Sequence, residues 1–243
     1  MMRNAPKAGE YALDPALKRL NGLTPLDEPA TAALRQAFAG AWRVPAAHEL
    51  QQEGKEVPKA RLLLGGWAAR FRILEDGRRQ LISLFLPGEL IGMYDHAQPL
   101  AASHVTAITD VLICTAPPPE TSPRLAEAYA LSRALEEAYL LNQITRLGRL
   151  SGLERLLDLL LELRERLDRC GLADGGSFPF PLTQEATADA LGLTSVHLNR
   201  MAQQARQTGD LDWRAKQVTL RDPAGLARKL GRNEVRVSAG PAS

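Results

Sequence analysis

LTQEATADALGLTSVHLNRMAQQARQTGDL, residues 182–211, reads as two short helices joined by a tight turn. Thr183 is placed to cap the first helix, and Glu185 in its first turn complements the helix dipole. Leu191 and Leu193 flank Gly192, which lets the chain turn where a Cβ would crowd it. Thr194 then caps a second helix that runs to Thr208-Gly209. On that second helix Leu198, Ala202 and Ala205 share one apolar face. Val196, Asn199, Arg200 and Gln203 share another, with Ser195 beside them. A major-groove reader needs such a face. Arg can pair with guanine, Asn with adenine, and an aliphatic group can touch the thymine methyl. The stretch is therefore read as a helix-turn-helix; an ordinary helical hairpin with a solvated polar face is the plainer alternative.

Composition bounds what the rest can be. Apolar residues make up 45% and charged residues 24% of the 243, ordinary values for a soluble globular protein. The net charge of +2 rules out a polybasic coat for nucleic acid. The excess is local, however: basic and acidic residues balance up to residue 170, and 171–243 holds 9 Lys and Arg against 7 Asp and Glu. Cys114 and Cys170 stand far apart, which supports neither a disulfide framework, a zinc ribbon nor a redox pair. The first 30 residues lack the apolar core of a signal peptide, and no apolar run approaches ~20 residues, so the expected compartment is the cytoplasm and no membrane is expected.

Upstream of the motif, residues 1–29 carry scattered prolines and read as a flexible arm. Residues 30–39 form a short helix with Leu34 and Phe38 inward. From Trp42 to Cys114 the text turns to short apolar runs: 61–66, 67–74, 80–86 and 103–115. Asp76-Gly77 makes a hairpin turn between two of them, and the spacing suggests an antiparallel barrel or sandwich in which Trp42 and Trp67 are core aromatics. Pro117-Pro118-Pro119 closes this region. Ser122-Pro123 starts a helix of about 24 residues, roughly 36 Å long. It is apolar on two sides, so one face is expected on the β-domain and the other, with Leu135 in the seam, on a partner helix. Gly148 is expected to interrupt it. Ser151-Gly152-Leu153-Glu154 is a capping box for the next helix, whose stripe runs from Leu153 to Leu167. A Gly- and Pro-rich connection (173–181) leads into the motif. After Gly209, residues 211–222 read as a β-hairpin wing whose basic turn includes Lys216, suited to phosphates. The tail from Arg232 is expected to fray.

This order, with WAARFRILEDGRRQLISLFLPGELIGM (67–93) and LTQEATADALGLTSVHLNR (182–200), resembles the Crp/Fnr family of bacterial transcription regulators over roughly residues 30–230. The resemblance implies an α+β chain: a β-roll sensor of jelly-roll type at 30–120, a dimerisation helix at 121–150 and a winged helix-turn-helix at 151–243. It implies a non-enzymatic homodimer that binds a palindromic DNA site, with double-stranded DNA and RNA polymerase as partners. Its DNA-contacting set falls here on Thr194, Ser195, Val196, His197, Asn199, Arg200, Gln203 and Lys216. Val196 stands where some members place a Glu, so the half-site is expected to differ. Thr187, Ala202 and Ala205 are smaller or more polar than is usual in this motif, which implies looser packing.

The effector positions depart further. Members that hold a cyclic nucleotide carry a Gly-Glu and an Arg-Ser pair; here Gly92-Met93 and Ala102-Ser103 stand there, without the carboxylate or the Arg. A cyclic nucleotide is therefore disfavoured, as is an iron–sulfur cluster, since Cys114 is the first cysteine. His48, His96 and His104 keep a haem-binding relative open, though lone histidines near strands are more often plain surface or core residues. Their spacing does not support a metal enzyme built on the barrel. A further alternative is a small-molecule-binding β-roll whose helices dock proteins, against which the outward Asn199-Arg200 and the basic wing speak.

Overall fold

The computed structural model describes residues 13–57, 59–94 and 96–238. The chain divides into two compact units. One holds the described residues up to 68 together with 85–129; the other holds 69–84 and the described residues from 130 onward.

In the first unit two helices precede the strands: α1 (Asp14–Leu23) and α2 (Glu28–Ala39). α1 corrects the expectation of an irregular arm; residues 1–12 of that arm lie outside the described residues. Leu13, Ala16 and Leu20 recur at helical spacing, are buried, and join Leu34, Leu62, Leu64 and Tyr129 in one core cluster. Pro15 sits in its first turn, where a missing N–H costs nothing. The scattered prolines therefore mark a helix start as well as loops. α2 is capped by the Asp27 carboxylate, which accepts from Ala30 N–H and from the Ser122 hydroxyl. These bonds, Ser122 foremost, hold the Asp27 carboxyl below the usual carboxylate range.

The strands of this unit are β1 (Trp42–Val44), β2 (Glu49–Gln51), β3 (Arg61–Gly65), β6 (Leu90–Ile91), β7 (His104–Ala107) and β8 (Val111–Thr115). β1, β8, β3 and β6 form an antiparallel sheet in that order, and β2 pairs with β7. The run 103–115 is thus two strands broken at Thr109-Asp110. Trp67 is buried as expected. Trp42 is not: it lies on β1 at the sheet edge and is 40% exposed. Cys114 is fully buried, and burial pushes its thiol up to about 11, so it stays protonated and poorly nucleophilic.

The second unit is mostly helical. The hairpin of β4 (Ala68–Ile73) and β5 (Arg79–Phe85) turns at Asp76-Gly77, Gly77 having a φ of +82° that a Cβ would disfavour. Helix α3 (Pro123–Arg149) starts from the Ser122 cap and runs straight through Gly148, which costs helix stability without ending the helix. α4 (Gly152–Arg169) opens with the capping box of Ser151 and Glu154, both of its bonds made. It is followed by β9 (Ser177–Pro179), α5 (Gln184–Leu191), α6 (Ser195–Gln207), β10 (Leu211–Arg214), β11 (Gln217–Leu220) and α7 (Pro223–Lys229). The 173–181 connection is therefore not loop alone: β9 adds to the hairpin as a third strand, in the order β10-β11-β9.

Charged groups hold the helical unit together from inside. Arg146 on α3 donates to Asp158 and Glu162 on α4 at 2.7 Å each, and Arg166 donates to Glu162 and to the Leu84 carbonyl while lying over the Tyr139 ring. Arg232 completes the set with bonds to Asp158 and Glu165, both at 2.8 Å. The tail does not fray there: Val235 is buried and its carbonyl accepts from Arg169. A buried guanidinium without carboxylates would be untenable, and the carboxylates without it equally so. Arg232→Ala should thus lower unfolding stability by about 3 kcal/mol, read as the midpoint shift in urea at unchanged slope. A shift no larger than that of an exposed Arg→Ala change would show that the tail is not held.

Candidate DNA-binding interface

The recognition element is built from two caps and one glycine. Thr183 Oγ1 accepts from Ala186 N–H at 3.1 Å, and Thr194 Oγ1 from His197 N–H at 3.2 Å. Each such cap contributes about 1 kcal/mol. Between them Gly192 takes φ +61°, the left-handed conformation that ends α5 and redirects the chain into α6. Leu198, Ala202 and Ala205 are buried, and Met201 with them. Thr187 is fully buried too, but its hydroxyl donates to the Thr183 carbonyl at 2.8 Å, so the polar atom is satisfied.

The opposite side of α6 stands in solvent. Val196 is 81% exposed, and Ser195, Asn199, Arg200 and Gln203 are exposed with it. A lone exposed valine is ordinary on a surface; here it shares one continuous face with Ser, Asn, Arg and Gln side chains, a mixture that can read base edges. Two members of the expected set behave differently. Thr194 is occupied as the cap. His197 turns back: it is half-buried, and a Cβ placed on Gly152 would lie 3.1 Å from its Nε2, so its ring packs over the first turn of α4. Its spacing, one residue from Val196, could have shown this, since neighbours on a helix face different ways.

The wing turns at Ala215-Lys216, both with positive φ (+48° and +67°). Such a turn favours Asn-Gly; two side chains there cost strain and put Lys216 at the exposed tip. Phe180 N–H donates to the Lys216 carbonyl, Trp213 meets Phe180 edge-on at 5.0 Å, and Arg206 of α6 donates to the Trp213 carbonyl. Wing and recognition helix are thereby fixed to each other. A protruding polar helix beside a rigid basic hairpin defines the winged helix-turn-helix class.

In the first unit, Gly92 and Met93 line a cavity of about 720 Å³ with Val57, Lys59, Tyr94, His96, Gln98 and Tyr129 among its other walls. Ala102 and Ser103 are not on it: Ala102 is exposed elsewhere, and Ser103 is buried with its carbonyl accepting from Gln51 Nε2. Of the four positions, Gly92 and Met93 line this cavity. Gly92 has a reason of its own, since its φ is +73° and a Cβ would come within 2.6 Å of Val57. Lys59, distant in sequence, is a wall that pattern reading had no means of finding. Arg70 and Arg78 are paired with Glu136 and Asp76 at 2.7 Å each. His104 meets Glu49 at 2.7 Å, while His48 and His96 are exposed and bond the Ala46 and Ala97 carbonyls.

Comparison with known proteins agrees with this class and narrows it. Residues 154–229 match the Crp-like helix-turn-helix domain. The transcriptional activator FnrL of Cereibacter sphaeroides is 31% identical over 183 residues, 68% of this chain and 70% of that protein. The nitrogen fixation regulation protein FixK of Bradyrhizobium diazoefficiens is 29% identical over 167 residues, covering 67% and 70%. The solved structure of FixK2 from Bradyrhizobium japonicum superposes with a TM-score of 0.67 at 24% identity, over 81% of this chain and 98% of that one. The chain belongs to the Crp/Fnr family: it is a DNA-binding transcription regulator with that family's antiparallel β-roll, long helix and helix-turn-helix. Among the described residues no helix is long and apolar enough to cross a membrane.

Proposed function

We propose that the protein binds an inverted-repeat operator as a homodimer in the cytoplasm, without catalysis, in response to a signal received by the β-roll, and acts on RNA polymerase from there. The observation that carries the DNA reading is the exposed face of α6, where Val196, Asn199, Arg200 and Gln203 stand out while Leu198, Ala202 and Ala205 anchor the helix. Ser195 at the helix start and Lys216 on the wing complete the contact set, Thr194 acts as its cap, and His197 serves as packing. Pairing is assigned to α3. Leu135, the expected seam residue, is 1% exposed and faces its own chain. Leu131, Ala134, Ala138 and Leu141 recur at three and four residues along the adjoining stripe, half-buried at first and open to solvent towards its end, where Leu141 is 58% and Ile144 69% exposed. By this reading the β-roll unit spans about 30–120 as the sensor, with 121–150 and 151–243 as pairing and reading parts.

The test is an electrophoretic shift with fragments of the source genome. Retention of a small subset in the presence of excess unrelated DNA is expected; retention of none, or of all equally, contradicts the reading. The signal is not a cyclic nucleotide by the same account. A phosphate in a partly closed cavity needs a fixed cation, and Met93 gives the ribose hydroxyl no strong acceptor. Lys59 is exposed, so its attraction is screened by water and salt. Titration calorimetry with cyclic AMP and cyclic GMP should show no binding below about 1 mM. A micromolar dissociation constant, weakened in Met93→Ala or Lys59→Ala, would overturn this.

A further inference from the structure

The C-terminal end of α5 is held in an unusual way. A helix leaves its last four carbonyls without partners inside the helix. Here the Ala188 carbonyl accepts from the Gly192 and Leu193 N–H groups, the ordinary close of a helix at a left-handed glycine. The next three are each taken by a side chain from a different element. Gln80 of β5 donates to the Asp189 carbonyl at 2.7 Å, Gln143 of α3 to Ala190 at 2.6 Å, and Arg155 of α4 to Leu191 at 3.1 Å. Arg79, beside Gln80, adds an ion pair to the Asp189 carboxylate at 2.7 Å. Three successive carbonyls, immediately before the turn that aims α6, are thus fixed to the hairpin, the long helix and α4.

We infer that Gln80, Gln143 and Arg155, with Arg79, are positioning residues for DNA reading: they set the direction of α6 without touching DNA. The inference rests on the dimeric DNA reading proposed above. Once one recognition helix is bound, the second half-site is met intramolecularly, at an effective concentration set by how firmly the two helices are held at the right separation. Loosening the clasp lowers that concentration and leaves the contacts of each helix with its own bases intact. Gln80 and Arg79 matter most in this respect, because they attach α5 to a hairpin that is otherwise no part of the helix-turn-helix. The purpose of a donor at each carbonyl is directional: an unsatisfied carbonyl would find water, and α5 could then pivot about Gly192.

The test uses the full-length protein and two duplexes: an inverted repeat selected by the parent protein from a randomised pool, and the same duplex with one half-site scrambled. Arg79→Ala with Gln80→Ala should lose roughly tenfold in affinity for the inverted repeat and less than about twofold for the single half-site, at an unchanged salt slope and with dimerisation intact. Gln80→Glu, which keeps the shape and removes the donor, should behave likewise, and Gln80→Lys, which returns a donor, should recover most of the loss. Equal losses on both duplexes would mean damage to the reading helix itself, and no loss on either would mean that the clasp positions nothing; each overturns the inference. A parent protein that selects no duplex would instead overturn the DNA reading beneath it, while Arg200→Ala, weakened on both duplexes, marks what loss of base contact looks like.

Discussion

Arg200→Ala is expected to abolish selective DNA binding while leaving the fold untouched. Arg200 lies one turn after Val196 on the exposed face of α6, and that helix is anchored by Leu198, Ala202 and Ala205 on its other side, so thermal melting should not move. Loss of a bidentate contact to a base costs on the order of 1–3 kcal/mol at each half-site. In a two-fold symmetric complex the loss counts twice, which brings a specific complex close to the affinity of any duplex. The selectivity lost should be concentrated at one base pair of each half-site. Lys216→Ala, at the wing tip, should behave differently: a uniform weakening across sequences and a salt slope lower by roughly one. Quantitative shift assays with point-substituted duplexes separate the two patterns. If Arg200→Ala selected the same sequences as tightly as the parent, α6 would not be the reading helix.

The second large effect is expected at Leu141. Leu141→Glu should convert the dimer to a monomer, seen as halved mass in sedimentation. Two-fold symmetry would bring two carboxylates into one seam and remove two leucines from it, each worth about 1.5–3 kcal/mol when buried. The monomer should melt as before, since Leu141 is exposed in the single chain. Leu135→Glu should do the reverse: it puts a charge into the chain's own core, where desolvation costs several kcal/mol, and so unfolds the unit before it can dissociate anything. A Leu141→Glu protein that remains dimeric at low concentration would move the interface off α3.

Those two leucines show where the sequence stops being readable. Periodicity established that α3 is apolar on two sides, but not which side meets the chain's own core. That depends on what packs against it, and only the fold supplies this. The recognition motif was legible for the opposite reason: Thr183, Gly192 and Thr194 are local devices whose chemistry is complete within a few residues, and so were the Ser151 capping box and the Asp76-Gly77 turn. α1 was hidden behind prolines, although Leu13, Ala16 and Leu20 carry a helical spacing. The wing tip is legible from charge, while its Ala-Lys turn has no turn signature at all; there the Lys216 carbonyl accepts from the Phe180 N–H. Arg232 looked like part of a polar tail because its two carboxylate partners, Asp158 and Glu165, lie some seventy residues earlier, on α4. The clasp on α5 and Lys59 in the cavity wall were illegible on the same ground: a side chain that meets another far along the chain leaves no pattern in either place.

The reading of α6 as one half of a symmetric pair is tested most directly by hydroxyl-radical footprinting of the parent protein on its selected duplex. Two recognition helices related by a two-fold axis reach successive major grooves on one face of the DNA, so two protected patches with centres roughly 34–36 Å apart, about one helical turn, are predicted. A single patch, or two whose separation is not a whole number of turns, would contradict the account.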